Sequence, residues 1–135
     1  MDYDLITWDN SFSVGFAILD EQHKELVNMI NELTEDCKKG TSAAELSFKL
    51  VLERAVEYAK THFADEEKYM DKVLYPNMAA HKKEHFNFLF EVVNLVNEVE
   101  SGNTTPIEFV NFLKKWVLNH VAKSDMKYAP YLRKL

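Results

Sequence analysis

Cysteine, glycine and proline are all scarce in this chain of 135 residues, which has one, three and three of them. A single cysteine, Cys37, can form no intrachain disulfide and cannot hold an iron–sulfur cluster by itself; it reads as a small buried hydrophobe. So few glycines and prolines leave few turns, which argues against many short strands and for long helices. Basic charge is also short. Sixteen Lys and Arg against 22 Asp and Glu leave a formal charge of -6 and no basic face for nucleic acid. No apolar run approaches about 18 residues, and the opening stretch MDYDLITWDN is acidic. Neither a membrane span nor a secretory leader is expected, and the expected location is cytoplasmic. Hydrophobic residues, by contrast, make up 47% of the chain, enough for the core of one domain.

Turn signals and helical periodicity divide this single domain, residues 1–135, into an arm, four helices and a tail. The arm, residues 1–18, carries Tyr3, Trp8, Phe12 and Phe16 around Gly15 without helical spacing, so it is expected to lie across the domain. The first helix, about 20–38, has Asp20 as a candidate cap and presents His23, Leu26, Val27, Ile30 and Leu33 before Gly40. Ser42 and Glu45 suggest a capping box for the second, about 42–72. Pro76 suits the first turn of the third, about 76–101. Thr105, Pro106 and Glu108 open the fourth, about 105–122, leaving a tail at 125–135. Short links between long helices predict an all-α, up-down-up-down antiparallel four-helix bundle.

All five histidines fall on inward-facing stripes. Taken singly, a histidine on an apolar face is most simply a satisfied core residue; five of five ask for another explanation. His81 and His85, four apart, project from one helix face about 40° apart, which suits two ligands of one ion. The same spacing joins His62 to Glu66, while Asp65 and Glu67 read as solvated charge. His120 and Asp125 are five apart, and an ideal helix would splay them by about 140°; a π-type widening or a break would bring Asp125 back inward. Heights agree as well. His23, His62, His85 and His120 lie 17, 22, 17 and 18 residues from the turns near Gly40 and Gly102, or about 25 to 33 Å from one end of the bundle. A buried layer of five histidines and two carboxylates needs partners for its polar groups and charges, and metal supplies both. Seven side chains exceed one tetrahedral zinc and suit two six-coordinate ions. That excess disfavours the zinc-peptidase reading of HKKEH, 81–85, which leaves three histidines, Glu66 and Asp125 unused; Glu84 reads as a surface charge.

The stretches DEQHKEL (20–26), HFADEE (62–67), HKKEH (81–85) and WVLNHVAKSDMKY (116–128), with the arm WDNSFSVGF, resemble the hemerythrin family in its single-domain bacterial form, over essentially the whole chain. The resemblance implies a non-haem di-iron centre with two iron ions per chain. His81, His85 and His120 would hold one iron, His23 and His62 the other, and Glu66, Asp125 and an oxo or hydroxo group would bridge them. A vacant position on the second iron would bind O2. Leu26, Phe63, Trp116, Val117 and Val121, neighbours of these residues in sequence, are candidates for a dry apolar O2 pocket as well as for core packing. Val117 departs from the pattern, since the family usually has leucine after the tryptophan. The implied function is reversible O2 binding for carriage, storage or delivery, without enzymatic turnover. A sensing module for oxygen, redox state or iron, and a scavenger of peroxide or nitric oxide, are the alternatives. A protein partner for delivery or signalling is not specified by any motif.

Overall fold

Caps and turns determine where each helix begins, and in three of four cases the residue that does so differs from the sequence expectation, although the second helix keeps its expected bounds of 42–72. The computed structural model describes residues 3–133. After one 3-10 turn at Asn10–Phe12 come α1 (Ala17–Lys39), α2 (Ser42–Lys72), α3 (Met78–Glu100), α4 (Pro106–Asn119) and α5 (Asp125–Leu132); no strand occurs among the described residues. Asp20 does not cap α1 but lies inside its first turn, accepting hydrogen bonds from Ser13 Oγ at 2.5 Å and the Val14 amide at 2.8 Å. The arm folds back onto this carboxylate, so the helix begins earlier than its polar residue suggests. Thr41, not Ser42, caps α2 by accepting from the Ala44 amide at 3.1 Å. Pro76 lies in the turn before α3 rather than at its first position. Thr105 caps α4 with Pro106 in its first turn, as the pattern suggested.

Packing follows a ring in which α1 touches α2 and α4, and α3 touches the same two helices. With the short links between them, this is the expected up-down-up-down antiparallel bundle. Gly40, at φ 61, turns the chain out of α1 in the left-handed region that glycine enters at no steric cost. Two buried apolar clusters result. The larger contains Val27, Ile30, Leu33, Phe63, Phe88, Val92, Phe109, Val110 and Val117, and the smaller contains Val14, Leu19, Met70, Tyr75, Tyr128 and Leu132.

The fourth helix does not run to 122, and the expected tail is not irregular. Asn119 ends α4, a π-helical segment spans His120–Ser124, and the chain continues as α5, whose Tyr128, Ala129 and Leu132 are buried in the smaller cluster. Apolar spacing at 128, 129 and 132 is helical, but Pro130, which has no amide to donate inside a helix, masked it. Residues 1, 2, 134 and 135 of the expected arm and tail lie outside the described residues. The arm crosses the bundle as expected, although Tyr3 is exposed and lines an open cleft near Gly40 instead of anchoring it. Cys37 is only half-buried and lines the same cleft, a correction to its reading as a buried residue.

Asn31 holds the arm in place: its Oδ1 accepts from the Ile6 amide at 2.8 Å and its Nδ2 donates to the Ile6 carbonyl at 2.9 Å. Lys114 Nζ donates to the Asp4 carbonyl at 2.6 Å. Replacing Asn31 by alanine leaves both Ile6 backbone groups without these partners, at a cost of about 1 to 3 kcal/mol. Urea unfolding of Asn31→Ala should show that loss in midpoint with little change in slope.

Candidate metal centre

Helical rows deliver polar side chains to a level between the two apolar clusters. On α1 the row reads Leu19, His23, Val27, all buried, with the outer two in different clusters. On α2, Ala59 and Phe63 belong to the larger cluster and Met70 to the smaller, with His62 and Glu66 between them. His81 and His85 come from the first turns of α3. His120 opens the π segment and Asp125 follows it, its amide bonded to the His120 carbonyl. That widened turn adds the residue needed to return Asp125 to the face of His120, as the five-residue spacing required. All seven side chains are buried, Glu66, Asp125 and His23 to 0% exposure.

The geometry has a division within it. Glu66 Oε1 lies 2.7 Å from His81 Nε2, 3.0 Å from His85 Nε2 and 3.7 Å from His120 Nε2. Its Oε2 faces the other way, 3.2 Å from His62 Nε2 and 3.4 Å from His23 Nε2. Asp125 repeats the pattern, with Oδ1 3.0 Å from both His81 and His120 and Oδ2 3.1 Å from His23. Each carboxylate thus presents one oxygen to a three-histidine group and the other towards His23. Donor atoms of Glu66, His81, His85, His120 and Asp125 form one cluster within 4.8 Å of one another, and those of His23, His62 and Glu66 form a second.

These side chains fit metal better than they fit one another. Both oxygens of Asp125 are buried without a hydrogen-bond partner in acceptable geometry, despite the nearby rings. Nε2 atoms of His85 and His120 face each other at 3.0 Å, which sets two lone pairs together unless a proton or a cation lies between them. Converging imidazole nitrogens with shared carboxylates are the donor set of first-row transition metals.

Outer partners, most of them missed from sequence, orient the rings. His62 Nδ1 lies 2.7 Å from Gln22 Oε1, and Gln22 Nε2 donates to Asp65 Oδ2 at 2.8 Å. His85 Nδ1 donates to Glu67 Oε2 at 2.9 Å. Glu84 accepts from Ser124 Oγ at 2.8 Å and stands 3.7 Å from His120 Nδ1. Asp65, Glu67 and Glu84 are therefore not merely solvated charges. Their signal was positional: each stands one residue from a candidate ligand on its own helix, and Glu67 and Glu84 reach the back of a ring on another helix while Asp65 reaches Gln22. Of the apolar candidates, Phe63 stacks on His85 at 3.9 Å and Trp116 on His120 at 4.3 Å. Val117 and Val121 are buried in the larger cluster, and Leu26 packs against it.

Fold and site together define a helical bundle with a candidate cation site in its core. The hemerythrin HHE cation binding domain matches residues 14–132. Bacteriohemerythrin of Stenotrophomonas maltophilia is 30% identical over 129 residues, covering 96% of this chain and 82% of that protein. Bacteriohemerythrin of Methylococcus capsulatus is 32% identical over 132 residues, covering 95% and 97%. A crystal structure of wild-type hemerythrin superposes with a TM-score of 0.83 at 29% identity, over 96% of this chain and 98% of that one. The chain belongs to the hemerythrin family.

Charge in the layer makes the metal-free chain sensitive to pH. Burial opposes protonation of His23, His81 and His120, but the Asp125 and Glu66 carboxylates outweigh it and raise them to about 9, 9 and 10. Burial likewise opposes ionisation of Glu66 and Asp125, and the surrounding imidazoles hold both below their ordinary values. Raised histidines contribute stability that is complete below their ordinary value of 6.5 and is lost as pH climbs through 9 to 10. Chelated protein should therefore melt at falling temperature from pH 6.5 to 10, whereas metal, which needs neutral imidazoles, should be lost on acidification. A melting temperature flat across that range would contradict this charge assignment.

Proposed function

We propose that the chain binds O2 reversibly at a di-iron centre, for carriage, storage or delivery, in the cytoplasm, with peroxide turnover only as a weak side reaction. The observation that carries the reading is the unequal division of the site, three histidines against two, with both carboxylates facing both ways. His81, His85 and His120 would hold one iron and His23 and His62 the other, with Glu66, Asp125 and a solvent-derived oxo or hydroxo group between them. One protein donor fewer surrounds the second ion than the first, which leaves it room for a small ligand. When bound, the iron pair supplies electrons to O2 and takes them back on release.

The protein's own part is to place the donors, limit negative charge and exclude water. Five imidazoles and only two carboxylates stabilise high-valent iron less than a carboxylate-rich set would, which favours release over oxidation. Phe63 and Trp116, stacked on ligand rings, restrict ring rotation, and Leu26, Val117 and Val121 supply apolar surface nearby. Oxygen, redox or iron sensing, and removal of peroxide or nitric oxide, remain the competing uses of the same donors.

Anaerobic optical titration of the reduced, iron-loaded protein with O2 tests the reading. A visible charge-transfer band should appear with the gas and vanish when it is withdrawn; one-way conversion to a ferric spectrum would move the assignment to scavenging or redox sensing. Val117→Leu should slow spontaneous oxidation, because a larger side chain beside Trp116 excludes water and protons better. An unchanged oxidation rate removes Val117 from the pocket.

A further inference from the structure

Tyr128 is the one fully buried tyrosine among the described residues, at 0% exposure, and its hydroxyl, although near the Glu66 carboxylate, makes no hydrogen bond of acceptable geometry. Phenylalanine would fill the same space without that cost, so packing alone does not account for the hydroxyl. Its ring meets His81 edge-on with centroids 5.4 Å apart. On its other side stands Tyr75, also buried, at 5.9 Å, and Tyr75 meets half-buried Tyr131 at 5.3 Å. Three of the six tyrosines thus form a file from a candidate ligand ring to a side chain with solvent contact.

Two backbone features maintain the file. At the end of α2, the Leu74 amide bonds to the Asp71 carbonyl and the Tyr75 amide to the Met70 carbonyl, closing the helix in the manner glycine usually serves. Leu74 occupies the left-handed region at φ 53 with its side chain 82% exposed, a strained arrangement whose product is an inward Tyr75. The π segment then sets α5 so that Tyr128 and Tyr131, three apart, both reach Tyr75.

We propose that Tyr128, Tyr75 and Tyr131 form a path by which the metal layer draws single electrons from a reductant in solution, with hydrogen peroxide as the oxidant. The path rests on the reading of the site as a redox metal centre. Each peroxide takes two electrons and two protons and leaves as two waters. Each electron and proton lost from the Tyr128 hydroxyl is replaced from Tyr75, and that of Tyr75 from Tyr131. An ascorbate-class donor restores Tyr131, so two ascorbate monoanions become two ascorbyl radical anions for each peroxide reduced. Close ring-to-ring contact favours transfer along the file because electron tunnelling falls steeply with separation.

Iron-loaded protein treated with stoichiometric peroxide, without ascorbate, and frozen for electron paramagnetic resonance is the test, with iron content measured on every sample. The native chain should give a phenoxyl radical, and dityrosine-linked dimers should form through Tyr131. Tyr131→Phe should lose the dimers while keeping a radical, and Tyr128→Phe should lose both, with iron content unchanged in each. Equal radical and dimer yields in native, Tyr128→Phe and Tyr131→Phe proteins with full iron would overturn the path. A chain that retains no iron overturns the metal reading beneath it, and the iron measurement tells the two failures apart.

Discussion

Everything in this bundle answers to the burial of seven ionisable side chains at one level of its core. Such a layer is costly wherever charges lack partners, and apolar packing cannot satisfy it. The arrangement of the site follows from that cost. Glu66 lies within 3.7 Å of all five imidazoles and Asp125 within 3.1 Å of three, and the rings present Nε2 inward while Nδ1 of His62 and His85 finds Gln22 and Glu67. Removing one carboxylate would leave several imidazoles facing one another, so the donors behave as a unit.

Two apolar clusters seal the layer from either side. The larger, beneath Phe63, Phe88 and Val117, stabilises the bundle in the ordinary way. The smaller is built by the start of α1 and the end of α2 together with the arm and α5, the last two lying outside a plain four-helix plan. Without Val14, Tyr128 and Leu132 the lower face of the layer would open to water. The arm and the last helix thus serve the site as much as the fold, and Asp20 holds the arm against the first turn of α1.

The misread carboxylates share a cause: each was assigned to its own segment when its partner lay elsewhere. Asp20 looks like a cap from its neighbours but is used by Ser13 and Val14. Glu67 and Glu84 look solvated on their own helices, and only the approach of α3 and the π segment gives them His85 and Ser124. Cys37 sits on an apolar row, yet the cleft near Gly40 leaves it half-exposed.

The helices, their antiparallel order and the common height of the histidines were determined by the sequence alone, because periodicity, caps and the fixed rise of an α-helix are local properties. Even the need for a widened turn between His120 and Asp125 was legible, since five residues cannot return to one face of a regular helix. Tertiary structure decided which oxygen of each carboxylate faces which histidines, which outer groups orient the rings, and that the chain after Asp125 folds as α5 under the layer. Those choices depend on the rotation and approach of neighbouring helices, and no local pattern in one segment carries that information.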